Sequence, residues 1–181
     1  MLLDTPVCDF GARAPEFVLR DPAGMEAGVP MSVGRKGLLV AFICNHCPYV
    51  KGIADRLSED LNTLQDEGFG VLAVMSNDYA AFPADNPERM TAFAEAHGFR
   101  FPYLVDADQS VGRAYGAVCT PDFFGYNAAL ELQYRGRLDD AGRGDGAGRR
   151  PELLEAMRAV GATGRGPEPQ VPSMGCSIKW R

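Results

Sequence analysis

Two cysteines set two residues apart, Cys44 and Cys47, lie in the segment Phe42-Ile43-Cys44-Asn45-His46-Cys47-Pro48-Tyr49-Val50-Lys51, where an apolar run gives way to a helical pattern. Pro48 suits the first position of a helix, because its missing N–H is not needed there and its φ is already helical. That makes Cys47 the N-cap. A thiol in this place sits beside unpaired backbone N–H groups and the positive end of the helix dipole. Both favour the thiolate, which is the reactive form of cysteine. The segment therefore predicts thiol chemistry with Cys47 as the nucleophile. Beside it, His46 can lower the thiol pKa as an imidazolium or shuttle a proton as a neutral ring. Cys44 has two readings. It can join Cys47 in a disulfide, the turn having a suitable span, or it can pack as a core residue at the end of the apolar run. Cys44 as the nucleophile is rejected, since Pro48 would then fall inside the helical turn of the motif and not at its first position.

The other cysteines are Cys8, Cys119 and Cys176. Five cysteines in a chain of 181 residues do not resemble a disulfide scaffold, and in the cytosol such thiols are mostly reduced. The odd number leaves at least one without an internal partner. Cys176 stands in a Gly- and Pro-rich tail that can fold back over the site, either as a resolving thiol or as packing alongside Ile178 and Trp180. Cys8 carries no motif. A metal-binding reading is the rival from another class: Cys44, His46 and Cys47, with Cys119 or Cys176, offer thiolate and imidazole ligands suited to copper(I) or zinc. The adjacency of His46 and Cys47 makes joint ligation of one ion awkward. Thiol exchange itself needs no cofactor.

The elements that position these residues follow from periodicity. Residues 38–43 read as a buried central strand, and Pro48 to about Glu67 as a helix with Val50, Ile53, Leu57, Leu61 and Leu64 on one face and Gly68 as its stop. Earlier, Glu16–Leu19 is a short strand followed by the turn Asp21-Pro22-Ala23-Gly24. Later come a strand at 69–75, a helix from Pro87 to His97 with Asn86 as its cap, a strand at Tyr103–Val105, a short helix at Ser110–Tyr115, a hairpin of 123–126 with 130–135, and a helix at Pro151–Val160. This order predicts one α/β domain over residues 1–181, with a mixed central sheet flanked by helices, a core of about 12–160, an N-terminal β-extension and an irregular tail at 161–181. The Gly-rich stretch 139–150 lacks the context of a phosphate loop and reads as solvated. Asp139 and Asp140, with Arg135 and Arg137, read as a solvated hairpin end. Ser76-Asn77-Asp78 follows a strand at the end where ligands gather in α/β sheets.

Bulk properties bound the function. A hydrophobic fraction of 46% and a charged fraction of 23% fit a globular protein. The formal net charge of −6 argues against a nucleic-acid binder, which needs a basic surface. No apolar run approaches the ~20 residues of a membrane span, and the N-terminal residues lack the pattern of a secretory signal. A cytoplasmic location is expected.

Several segments resemble a known family. The run Leu38–Leu57 is similar to the active-site strand and helix of thioredoxin, with Cys47 on its nucleophilic cysteine and Val50 on its second cysteine. Gly11-Ala12-Arg13-Ala14-Pro15-Glu16-Phe17-Val18-Leu19 resembles the opening of peroxiredoxin-type domains, and Tyr115-Gly116-Ala117-Val118-Cys119-Thr120-Pro121 the approach to the thioredoxin cis-proline. With Ser76-Asn77-Asp78, Tyr134-Arg135-Gly136-Arg137-Leu138-Asp139-Asp140 and Pro172-Ser173-Met174-Gly175-Cys176-Ser177-Ile178-Lys179-Trp180, the whole chain resembles the peroxiredoxin-like (AhpC/TSA-related) group of the thioredoxin family. The resemblance implies a thioredoxin-like fold and thiol–disulfide oxidoreductase activity, with Cys47 forming a mixed disulfide that Cys44, Cys119 or Cys176 releases. It implies that Pro121 is cis and faces Cys47, and that Thr120, Pro121, His46 and Pro48 border the substrate. Cys119 and Thr120 cannot both face Cys47, because extended residues alternate in direction. Substrates would be protein or small-molecule disulfides and thiols, with a thioredoxin- or glutathione-type reductant, acting on a monomer or homodimer. A thiol peroxidase is the alternative, but two of its marks are missing: Cys44 stands where that pattern wants threonine, and Thr120-Pro121-Asp122-Phe123 lacks its arginine.

Overall fold

A computed structural model of the chain describes residues 1–6 and 8–181. In chain order the elements are β1 (Leu2–Asp4), β2 (Phe17–Arg20), β3 (Glu26–Val29), β4 (Leu38–Phe42), α1 (Pro48–Lys51), α2 (Ala54–Asp66), β5 (Gly70–Met75), a 3-10 turn (Pro83–Asp85), α3 (Pro87–Ala96), β6 (Tyr103–Val105), α4 (Ser110–Tyr115), β7 (Cys119–Thr120), β8 (Asp122–Tyr126), β9 (Leu132–Tyr134), α5 (Glu152–Thr163) and β10 (Met174–Ser177). Seven strands form the central sheet in the order β3-β2-β6-β5-β4-β8-β9, and β1-β10-β7 form a second, small sheet. The central sheet is mixed: β4 pairs parallel with β5 and β5 with β6, while the other pairings are antiparallel.

The core explains why β4 carries no polar residue. Leu39, Ala41 and Ile43 face one apolar cluster with Leu57, Leu61 and Leu64 of α2 and Leu153, Met157 and Val160 of α5. Leu38, Val40 and Phe42 face a second cluster with Leu72, Val74, Leu104, Val111 and Tyr115. Alternate side chains of a strand point to opposite faces. A strand covered on both faces is therefore apolar throughout. Truncating one of the fully buried leucines, such as Leu57, to alanine costs about 2–5 kcal/mol.

Three expectations need correction. The helix expected from Pro48 to Glu67 is two helices, broken at Gly52 and Ile53. Ile53, at φ −118° and ψ −1°, departs from ideal helical angles, and Arg143 packs beside Gly52, its Cβ 3.2 Å from where a Cβ on Gly52 would stand. The tail is not irregular throughout, because Met174–Ser177 form a strand between β1 and β7. The stretch 135–150 is not solvated as a whole. Arg135 and Asp139 are buried, Arg56 donates to Gly142 O and Gly144 O, and Arg149 joins Asp60 at 2.7 and 2.8 Å. No helix among the described residues is long and apolar enough to cross a membrane.

Candidate active site

Ile43 N still bonds to Val74 O at 3.0 Å, so the chain leaves the sheet only at Cys44, at the carboxyl end of β4. Cys47 then caps α1 with φ −65° and ψ 124°, and Pro48 takes the first helical position. The loop between the two cysteines is held from below by Asp85, which is fully buried. Its carboxylate accepts from Asn45 N at 2.8 Å, His46 N at 3.3 Å and Asn77 Nδ2 at 2.8 Å, and lies 2.6 Å from His46 Nδ1. Tyr103 adds a second support, donating its hydroxyl to Asn45 Oδ1 at 3.0 Å.

Across from the loop, the Thr120–Pro121 peptide is cis. Thr120 Oγ1 lies 3.3 Å from Cys44 Sγ, and Thr120 O lies 3.2 Å from Cys47 Sγ. The third wall is β10. It pairs antiparallel with β7 so that Cys176 stands opposite Thr120 and Ser177 opposite Cys119. Residues directly opposite in an antiparallel pair project to the same face. Cys176 therefore shares the face of Thr120, the residue whose carbonyl oxygen meets Cys47 Sγ. Cys119 lies on the other side of the strand, with Sγ 3.6 Å from Pro121 O.

Two thiols in contact share protons, and the surroundings decide which keeps one. Cys47 Sγ lies against Thr120 O, while the neighbouring Cys44 thiol favours its thiolate most, followed by the backbone N–H groups of Cys176 and Val50 and then the Thr120 hydroxyl, all potential donors. These donors outweigh burial and hold Cys47 below the ordinary thiol range. Burial and the Thr120 carbonyl, which accepts from the S–H at 3.2 Å, favour a protonated Cys47. Cys44 is pushed up, first by its bond to Cys47, then by burial and the Asp85 charge. Burial, with Asp122 nearby, pushes Cys119 up to about 12. Cys176 is raised by burial and by Cys47, against the pull of Lys179.

The structure thus brings Cys44, Cys47, Thr120, Pro121, Pro48 and Cys176 together and sets Cys119 apart. The His46 ring bonds to Asp85 and stacks 6.0 Å from Phe82, and the leading influences on Cys47 come from other groups. Cys8 packs against the second apolar cluster. Ligand atoms of Cys44, His46 and Asp85 lie within 4.8 Å of one another. Each of the three already has a hydrogen-bond partner in the protein. Asp85 escaped sequence reading because it lies 38 positions beyond Cys47 in a proline-flanked turn with no periodicity. Asn77, just beyond β5, donates to Asp85 and accepts Lys179 N at 2.8 Å, tying the tail to the loop. Beside Pro121, a cleft of about 290 Å³ runs between Tyr49, Arg143 and residues 171–174.

The sequence model described as the AhpC/TSA family matches residues 10–140. The crystal structure of a hypothetical protein, SMc02350 from Sinorhizobium meliloti 1021, has a TM-score of 0.91 and 41% identity, covering 98% of this chain and 98% of that one. An uncharacterized conserved protein from Geobacillus kaustophilus gives 0.90 and 38%, over 100% of this chain and 97% of the other. Thiol-disulfide oxidoreductase ResA from Geobacillus thermodenitrificans (strain NG80-2) is 32% identical over 114 residues, which are 63% of this chain and 61% of ResA. The thioredoxin-like fold implied by the resemblance is the fold found.

Proposed function

The chain belongs to the AhpC/TSA family, and on that premise we propose that it is a thiol–disulfide oxidoreductase with Cys47 as its nucleophile. One observation carries the assignment: the Cys47 sulfur stands at the N-cap of α1, ahead of Pro48, 3.2 Å from the carbonyl oxygen of Thr120 in the cis-proline loop. A thiolate so placed attacks a disulfide sulfur and forms a mixed disulfide, expelling one thiol. A second thiol then attacks Cys47 and releases the product. Thr120 and Pro121 shape the groove, and Pro48 fixes the first turn of α1 beside the sulfur. Substrates are disulfides and thiols of small molecules or proteins, and a thioredoxin- or glutathione-type thiol returns the electrons. The cytoplasm, where such thiols stay reduced, is the compartment we propose.

A peroxidase reading is supported by one feature. Cys44 stands three residues before Cys47 and favours its thiolate, as a threonine would in the peroxidase pattern. Among the described residues, however, no guanidinium hydrogen-bonds to Cys47. Disulfide reductase activity and peroxide turnover, each measured on the wild type and on Cys47→Ser, decide between them. Loss of disulfide reduction in Cys47→Ser by more than about a thousandfold is expected for a lost covalent nucleophile. A fast, saturable peroxide reaction without disulfide turnover would favour the peroxidase, and full disulfide turnover in Cys47→Ser would end both readings.

A further inference from the structure

Cys47 is fully buried, whereas Cys176 is partly exposed. What covers Cys47 is the chain's own strand. An extended polypeptide binds to a free strand edge through main-chain hydrogen bonds. The edge that the cis-proline loop offers, at Thr120, is taken by β10. The contact is too close for any side chain at the crossing point: a Cβ on Gly175 would lie 2.0 Å from Thr120 O. Ser173 Oγ donates to Pro121 O at 2.8 Å on one side, and Ile178 N donates to Val118 O at 3.1 Å on the other. β1 closes the outer edge, with Leu3 opposite Gly175.

We propose that β10 stands in for an extended substrate strand, and that Cys176 is the thiol that exchanges with Cys47, so that the oxidised chain carries a Cys47–Cys176 disulfide joining the N-cap of α1 to β10. The proposal rests on Cys47 being the nucleophile. Register supplies the direction, since Cys176 faces the same way as Thr120. Access supplies the choice between partners. Cys44 is 1% exposed, whereas water reaches Cys176 and can accept its proton. Attack by Cys47 on a disulfide R–S–S–R′ breaks the S–S bond, forms Cys47–S–S–R and releases R′–SH. Cys176 then attacks the Cys47 sulfur, forms the internal disulfide and releases R–SH. The two cysteines lose two electrons and two protons, which the substrate gains. An external thiol reductant restores both. With β10 seated, a polypeptide strand finds its edge occupied, so displacing β10 admits polypeptide disulfides more than small ones.

The test is oxidation of the reduced full chain with one equivalent of oxidised glutathione, followed by mass spectrometry of peptides without reduction. A Cys47–Cys176 link is expected. A dominant Cys44–Cys47 link, with Cys176 free, would overturn the proposal while leaving the nucleophile in place. In Cys176→Ser, Cys47 should accumulate as a glutathione adduct and turnover should fall roughly a hundredfold, since an external thiol must replace one held at high effective concentration. Unchanged turnover would refute the exchange role. Gly175→Val, which lifts β10, should raise reduction of insulin relative to oxidised glutathione, and an unchanged ratio in the folded variant would refute the stand-in role. Failure of Cys47 to react in any of these proteins would instead remove the oxidoreductase reading itself.

Discussion

Two buried aspartates support this molecule in opposite ways. Asp139, under the Gly-rich loop, meets guanidinium groups: Arg56 Nε at 2.8 Å and Arg149 Nη1 at 3.6 Å. Asp85, under the cysteine loop, meets three neutral N–H donors and one imidazole. The first carboxylate is balanced by charge within a network that also holds Asp60. The second acts mainly through hydrogen bonds, and its field reaches Cys44. A structural ion cluster hides its charge, whereas the aspartate beneath the reactive loop leaves a field at the Cys44 sulfur.

The comparison can be broken by stability. Asp85→Ala strands several buried donors at once and is expected to cost about 3–5 kcal/mol in denaturant unfolding. Asp139→Ala should cost less, on the order of 1–3 kcal/mol, because Arg149 keeps Asp60 and Arg56 keeps the loop carbonyls. Equal losses would mean that the two sites are built alike.

Titration sharpens it. Ultraviolet thiolate absorbance should show one thiol ionising below the ordinary value of about 8.5, absent in Cys47→Ser. The folded pKa of Cys47 is depressed, so the unfolded chain binds the extra proton between the two values. Stability of the reduced protein should therefore rise with pH up to about 8.5 and fall again as pH drops through the folded midpoint. Cys47→Ser should flatten that slope. Asp85→Asn should lower the elevated midpoint of Cys44, and Asp139→Asn should leave it in place. The smallest effect belongs to the surface: Arg20→Ala, which breaks the exposed pair with Glu26, should cost at most about 1 kcal/mol and serves as the baseline.

Much of this was legible in the residues, and the limit has a physical form. β4, β5, β6, α3 and α4 carry their own periodicity and caps, and Asn86 does accept from Arg89 N at 2.9 Å. Pro48 marked Cys47 as an N-cap because a proline at the first helical position is a local rule. The rest depends on partners far along the chain. Met174-Gly175-Cys176-Ser177 has weak intrinsic strand preference and becomes a strand only between β1 and β7. Asp85 and Asp139 look like turn residues until the structure shows what points at them. The same holds for Cys44, whose two readings nothing local separates.

The small sheet also has a history in folding. β4, α2 and β5 follow one another closely, and their contacts can form early. Joining Thr5 to Ser173 closes a span of 168 positions. Structure that depends on such distant pairings is slow to form. By that measure the reactive thiol and its loop are expected to assemble before the strand that covers them. During that interval the Thr120 edge is bare, and an uncovered edge invites pairing with other chains. β1 and β10 are therefore also the parts that protect a newly folded molecule from its neighbours.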